Sequence, residues 1–203
     1  MEQKGLRAML ITTAVCLLVV QLFVAGVQLI NGLIAPDLIS ASLNEVFGTV
    51  VTVATFLTPF LLLVVAVLTF FSDEKPSPLF SGAIVLSLWA VCRLAWLALL
   101  QFNVLDMSFV MNYEFWVDLG LSFLLGLALI LVACSFRSGV MLGSAINVMI
   151  VKCAAIPVFM EVFGAGFLSF KKALICDVTL SILAALFLVI FLFVWAARLK
   201  DEF

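Results

Sequence analysis

The chain has 203 residues, of which 67% are hydrophobic and only 11% are charged, with a net charge of −2. A chain this apolar cannot bury its hydrophobic surface in a water-soluble core, which excludes a soluble globular protein. The small net charge excludes nucleic-acid binding, and the absence of histidine excludes imidazole-bound haem, the usual catalytic zinc sites and Ser-His or Cys-His catalysis.

Six apolar runs of span length follow one another along the chain, separated by short polar segments. At about 20 residues per span, they predict an all-α polytopic integral membrane protein. Its bundle of about six transmembrane helices would form a single domain over residues 1–203. The predicted spans are residues 8–30, 45–71, 79–102, 109–136, 141–163 and 171–197. The first run is longer than the apolar core of a secretory signal and therefore indicates a membrane helix.

Lysine and arginine residues outside the spans are distributed unequally between the two ends of such a bundle. One end would carry Lys4, Arg7, Lys75, Arg137, Arg198 and Lys200, and the other only Lys171 and Lys172. By the positive-inside rule, we expect both termini to be cytoplasmic. We expect a multi-pass protein of a cell membrane, with the bacterial inner membrane as its location.

The first two spans carry uncharged polar side chains at helical spacing. Gln21 and Gln28 are seven residues apart and share a helix face, which favours hydrogen bonds between helices. In the second span a threonine recurs every third residue, and each hydroxyl can donate to the helix backbone. The four threonines are Thr49, Thr52, Thr55 and Thr58. Pro59 follows them, and its missing N–H group predicts a bend.

The third span holds a cation between two indoles. Arg93 follows Trp89 by four residues and precedes Trp96 by three, so all three side chains project from one helix face. An arginine in this position can stack on an aromatic ring, pair with a carboxylate or extend toward the membrane surface. The simplest interpretation is a structural ion pair.

The fourth span carries two carboxylates. Glu114 and Asp118 are four residues apart and therefore project from the same side of the helix. Carboxylates inside a membrane require cations or water. Arg93 and Lys152 are the cations available on other spans, and we therefore expect the third, fourth and fifth spans to meet at their charged positions.

The fifth span is the least regular. A lysine near the middle of a membrane helix costs roughly 2.5 to 3.5 kcal/mol, so Lys152 should face protein or trapped water. Glu161 is nine residues further on and about half a turn out of phase, so these two side chains need different partners. Pro157 and Pro59 lie in the middle spans of the two halves, a pattern found in inverted repeats, although the halves share no residue-level similarity.

The sixth span has one charge in its apolar region, Asp177. Ser122 and Gly126, four residues apart in the fourth span, permit close helix contact. The cysteines all lie in predicted spans without metal-binding spacing, and we interpret them as packing residues. They are Cys16, Cys92, Cys134, Cys153 and Cys176. We predict neither a metal nor a cofactor.

Charged and hydroxyl side chains concentrate in the outer halves of the spans, with Arg93 and Lys152 near the middle, whereas the cytoplasmic halves of the second, fourth and sixth spans are nearly pure hydrocarbon. We therefore expect a cavity open to the outer face that binds a small polar or zwitterionic solute. Its expected lining is Arg93, Glu114, Asp118, Lys152, Asp177, Thr52 and Thr55. The two cations would receive an anionic group, and the two aspartates would receive a cationic group or hold the cations in place.

Three functions fit this pattern. The first is a solute-binding or transport protein, such as the membrane-embedded binding subunit of a larger transporter, because the chain has no P-loop pattern. The second is a non-catalytic subunit or assembly factor of a larger complex, whose intramembrane charges form structural ion pairs. The third is an intramembrane hydrolase that uses Asp118 and Asp177 as a carboxylate dyad. The expected partners are the lipid bilayer, the solute and other membrane subunits, with no nucleic acid.

Overall fold

The structure is a computed structural model, which describes residues 2–33, 41–71, 77–102, 104–164, 166 and 169–201. These residues form helices joined by short turns, with no strand among them. The helices are α1 (Glu2–Leu33), α2 (Ala41–Phe70), α3 (Ser77–Gln101), α4 (Met107–Ser135), α5 (Gly139–Ile150), α6 (Ile156–Gly164) and α7 (Phe170–Asp201). The π-helical turn Val151–Ala155 joins α5 to α6.

Six helical stretches are long and apolar enough to cross a membrane. They are Lys4–Ile30, Glu45–Phe70, Pro78–Gln101, Asn112–Ser135, Gly139–Met160 and Phe170–Leu199. In a bilayer no water is available to the backbone, so each spanning segment must pair its N–H and C=O groups internally, as a helix does. The prediction of an all-α polytopic bundle is therefore confirmed, with boundaries that agree to within a few residues.

The six spans form a closed ring in the order of the sequence. Each of the first four helices packs against the next, α5 packs against both α4 and α7, and α7 returns to α1. Successive spans run in opposite directions. The start of α1 and the end of α7 consequently lie at one end of the ring, which we call the terminal end. The opposite end is called the distal end.

The hydrophobic core lies mainly in the terminal half of the ring. Its largest fully buried side chains include Leu6 and Leu10 on α1, Leu62 on α2, and Phe191 and Trp195 on α7. These side chains pack in one continuous cluster that also includes residues of α3, α4 and α5. The nearly pure hydrocarbon of the sequence in this half therefore closes the terminal end.

Two glycines allow neighbouring spans to approach closely. A Cβ atom on Gly82 of α3 would lie 2.7 Å from Val132 Cγ2 and 3.0 Å from the Val132 backbone nitrogen on α4. A Cβ atom on Gly126 of α4 would lie 2.8 Å from Met149 Cγ on α5. The close contact expected at Gly126 is thus present. Gly82 was not among the expected contacts, although the α3 backbone lies close to the α4 backbone there.

The fifth span departs from the single helix expected over residues 141–163. Pro157 cannot donate to the carbonyl four residues earlier, and its ring crowds that carbonyl. The hydrogen-bonding pattern changes immediately before the proline, where the Ile156 N–H donates to the Val151 carbonyl five residues back. Pro59, in contrast, lies inside a continuous α2. The two prolines therefore occupy different local structures.

The turn between α4 and α5 agrees with the sequence. Arg137 has a φ of 47°, and Ser138 caps α5 by accepting a hydrogen bond from the Met141 N–H at 3.4 Å. Two other connections between the predicted spans fall mostly outside the described residues. The undescribed segment between the first and second predicted spans is residues 34–40, and the one between the second and third is residues 72–76.

We predict that Gly82→Ala lowers the free energy of unfolding by about 1 to 3 kcal/mol, the usual cost of overpacking. The added methyl group would meet the α4 backbone, which cannot rotate away as a flexible side chain does. Reversible denaturation in detergent measures this change. Gly120→Ala on α4 is the matched control, because nothing lies within 4 Å of its added Cβ. Equal stability of the two variants would show that α3 and α4 are not tightly packed at Gly82.

Candidate ligand-binding cavity

A cavity of about 700 Å³ lies inside the ring, and all six spans contribute to its lining. It occupies the distal half, beyond the hydrophobic core. Volumes of roughly 300 to 1,000 Å³ are typical of small-molecule sites. The cavity therefore has the size of a ligand site, and a lining drawn from six spans distinguishes it from a packing defect between two helices.

The floor of the cavity is apolar. Leu17, Trp89, Leu125, Val148 and Leu188 line it, and each of these side chains is less than 9% exposed. They come from α1, α3, α4, α5 and α7. Because the same side chains belong to the core cluster, the floor separates the cavity from the terminal end of the ring.

The walls carry most of the predicted site residues. Arg93 of α3, Glu114 and Asp118 of α4, Lys152 of the π-helical turn, Asp177 of α7 and Thr55 of α2 all line the cavity. Thr52 is not among the lining residues, and its hydroxyl donates to the Gly48 carbonyl at 3.0 Å. Thr55 also donates to its own helix, at 2.8 Å from the Val51 carbonyl oxygen. The back-bonding that the threonine spacing predicts is therefore confirmed.

Arg93 and Asp118 form an ion pair across α3 and α4. The Arg93 Nη1 donates to Asp118 Oδ1, and the two side chains are 28% and 46% exposed. Of the three sequence-based possibilities for Arg93, pairing with a carboxylate is the one observed. Trp89 is buried one turn away and lines the same cavity, so the guanidinium lies at the boundary between floor and wall.

Lys152 has no such partner among the described residues. No described carboxylate lies within ion-pair distance of its amine, although Arg93 and Asp118 line the same cavity. The π-helical turn that carries Lys152 packs against both α4 and α7. Lys152 is therefore a cation enclosed by the ring, beside a pair that is already neutralised. The side chain of Glu161 lies outside the described part of the structure.

The unpaired carboxylates lie nearer the distal end. Asp177 is seven residues from the start of α7 and Glu114 is seven residues from the start of α4, which places them roughly 10 Å from the distal end of each helix. Lys152 is twelve residues from the end of α6, or roughly 18 Å by the same rise. No ion pair of Asp177 or Glu114 occurs in the described structure. Lys152 thus lies at an inner level of the cavity, and Asp177 and Glu114 lie at an outer level.

Several lining residues were not among the predicted site. Gln21 and Gln28 of α1 face the cavity, and no side-chain hydrogen bond joins either of them to another helix in the part of the chain that is described. Their seven-residue spacing signalled the shared face, but not that it points inward. Thr58, Ser122 and Ser181 also line the cavity. For the two serines the sequence carries no distinguishing signal.

The carboxylates of the hydrolase alternative line the same cavity but do not contact each other. Asp118 accepts its hydrogen bond from Arg93, and no hydrogen bond joins it to Asp177 in the described residues. A shared proton between two aspartates requires direct contact. The five cysteines are free thiols. Among the described residues, no group of three or more cysteine, aspartate or glutamate side chains is placed to hold a metal ion.

No protein-family model matches the chain, and neither a curated protein nor a solved structure is significantly similar to it. The six membrane spans establish a multi-span membrane protein. Its function has to be inferred from the cavity and the charges around it.

We predict that the Arg93–Asp118 pair stabilises the fold by about 1 kcal/mol in a double-mutant cycle. The cycle compares Arg93→Gln, Asp118→Asn and the double variant by unfolding in detergent. A second cycle, of Arg93→Gln with Glu114→Gln, is the control, because Glu114 lies on the same helix without an ion pair. Equal coupling energies in the two cycles would contradict a specific Arg93–Asp118 interaction.

Proposed function

We propose that this protein binds a small polar or zwitterionic solute in the cavity, as a solute-binding or transport protein. The observation that supports the proposal most directly is Lys152. It lines a cavity enclosed by all six spans, and no described carboxylate pairs with it.

The cost of burying a lysine explains why its lack of a partner matters. A cation within a membrane helix is unfavourable unless a carboxylate, water or polar backbone compensates it. Arg93 obtains that compensation from Asp118. Lys152 lines the cavity and has no ion-pair partner among the described residues, so a ligand with an anionic group would supply one. Such a charge-assisted interaction is strong because the surroundings are largely apolar.

The position of the cavity indicates the side from which a ligand enters. Its polar walls lie toward the distal end, and the core closes the terminal end. The distribution of lysine and arginine favours a cytoplasmic terminal end. The ligand would therefore enter from the outer face of a cell membrane, which we propose to be the bacterial inner membrane. Transport would further require the hydrocarbon of the terminal half to open, or a partner subunit that supplies the energy.

A second candidate is a non-catalytic subunit or assembly factor. The Arg93–Asp118 pair favours it, because an ion pair between neighbouring helices can fix their register without any ligand. The two candidates differ in what they require of Lys152. If the intramembrane charges are purely structural, Lys152 contributes to stability. If Lys152 binds a ligand, it destabilises the unliganded protein.

We predict that Lys152→Met raises the free energy of unfolding of the unliganded protein, by about 1 to 2 kcal/mol. Methionine has a similar length and avoids most of the roughly 2.5 to 3.5 kcal/mol cost of a membrane lysine. Arg93→Met is the comparison, and it should lower stability because it leaves Asp118 unpaired. Both are measured by reversible unfolding in detergent. Destabilisation of Lys152→Met to the same extent as Arg93→Met would favour the structural-subunit candidate.

We predict that cysteines placed in the cavity react with a charged, membrane-impermeant thiol reagent added outside intact cells. On a background without the native cysteines, Ser122→Cys and Ser181→Cys should react rapidly, because both positions line the cavity. Phe123→Cys and Leu183→Cys are matched controls on the same two helices. Their native side chains are 49% and 38% exposed but do not line the cavity, so lipid should shield the new thiols and keep them un-ionised.

The four labelling results decide whether the cavity is open to water. Reaction at 122 and 181 but not at 123 and 183 supports an outward aqueous cavity. An absence of reaction at 122 and 181, in protein shown to be folded and inserted, would contradict the proposed function. Equal reaction at all four positions would contradict it as well, because it would mean that no wall separates cavity from surface.

A further inference from the structure

The distribution of charge and apolar surface within the cavity defines a ligand class more narrowly than the proposed function does. We infer that the ligand is a zwitterion with an apolar body, such as an amino acid with a large hydrophobic side chain. Its anionic group would bind Lys152, its cationic group Asp177, and its apolar body the floor. This inference rests on the proposed function, since it concerns the same cavity.

The anionic group is assigned from the cations. The cavity lining holds Arg93 and Lys152, and the Arg93 guanidinium already donates to Asp118. One positive charge therefore remains without a carboxylate among the described residues. This favours a ligand with a single anionic group over a dicarboxylate or a polyanion, for which one free lysine is insufficient and the nearby carboxylates are repulsive.

The cationic group is assigned from the carboxylates. Asp177 lies on α7, against which the π-helical turn that carries Lys152 packs. Both side chains line the cavity and they do not form an ion pair in the described structure, so a ligand that bridges them would give each charge a partner. Glu114 adds a second free carboxylate at the same outer level. A simple anion would meet net repulsion there, whereas a zwitterion is attracted at both levels.

The apolar body is assigned from the floor. Leu17, Trp89, Leu125, Val148 and Leu188 form it, and the indole nitrogen of Trp89 is the one polar side-chain atom among these five residues. Apolar ligand surface that leaves water for this floor contributes favourably to binding. A small, wholly polar solute would leave this surface in contact with water. The arrangement therefore favours an apolar group attached to the two charged ones.

A set of compounds with one common phenyl group tests the three assignments separately. The probes are phenylalanine, which has both charges, phenylacetate, which has only the anion, and 2-phenylethylamine, which has only the cation. Serine is the zwitterion without a large apolar body. Each is added at the same millimolar concentration to purified protein in detergent, and the shift of the unfolding temperature is measured. A ligand that binds the folded state raises this temperature, and at a fixed concentration the increase is larger for a tighter ligand.

We expect phenylalanine to raise the unfolding temperature more than any of the other three probes. Lys152→Met should weaken binding of phenylalanine and phenylacetate by about tenfold or more, the loss of one charge-assisted hydrogen bond, and leave 2-phenylethylamine unaffected. Asp177→Asn should weaken the binding of phenylalanine and 2-phenylethylamine by a similar factor and leave phenylacetate unaffected. Lys172→Met and Asp106→Asn are matched controls, because both residues are exposed and lie outside the cavity lining.

Three results would overturn the inference. A response to serine that equals or exceeds the response to phenylalanine would show that the ligand needs no apolar body. Equal responses to phenylalanine and phenylacetate, unaffected by Asp177→Asn, would show that the ligand needs no cationic group. A response to none of the probes would contradict the inferred ligand class as a whole. The proposed function is tested separately by thiol labelling at Ser122 and Ser181, so a labelled cavity with no response to the probes would leave that function standing.

Discussion

The need to keep ionisable side chains away from lipid is the constraint on which this architecture depends. Five such side chains lie in the membrane spans and line the cavity: Arg93, Glu114, Asp118, Lys152 and Asp177. Each would be strongly unfavourable on the lipid face of a single helix. A closed ring of six spans gives all five a common interior. The apolar surface of the spans, which would be a liability in water, can then face the bilayer everywhere else.

The two halves of the ring differ in packing: the terminal half is densely packed, and the distal half contains the cavity. In the terminal half, Phe191, Leu192 and Trp195 of α7 pack at full burial against α1 and the central helices. Dense packing of this kind stabilises the fold. The distal half keeps an enclosed volume and an unpaired lysine, both of which lower stability. Proteins commonly tolerate such features where function requires them, and here the packed half offsets them.

Much of this fold follows from the sequence, because the pattern that determines it is local. Span number, span boundaries and the concentration of charge toward one end are readable from the order of apolar and polar residues. The inward positions of Lys152 and Asp177 follow from the cost of exposing them to lipid. The helix contact at Gly126 follows from the size of glycine.

What the sequence does not determine is the rotation of each helix about its axis and the identity of its neighbours. Thr52 and Thr55 belong to the same row of threonines on α2. Their side chains point in directions that differ by about 60° around the helix, and this difference is enough to leave Thr52 outside the cavity. The partner of Arg93 could not be chosen among the carboxylates because helix order was unknown. The π-helical turn depends on how Pro157 is accommodated within the ring, and the sequence alone does not distinguish that from a simple kink.

The closed ring also has a consequence for biosynthesis. Among the described residues, extensive contacts join spans that follow one another in the chain. The one extensive contact between spans far apart in sequence is that of α1 with α7, which closes the ring. The first five spans can therefore pair as they leave the ribosome and the insertion machinery, but they form only an open arc. Until the last span arrives, the charged side chains of the arc lack an enclosed interior. Nascent chains at this stage would be natural targets for membrane chaperones and proteases, so the cavity and the mature fold come into existence in the same final step.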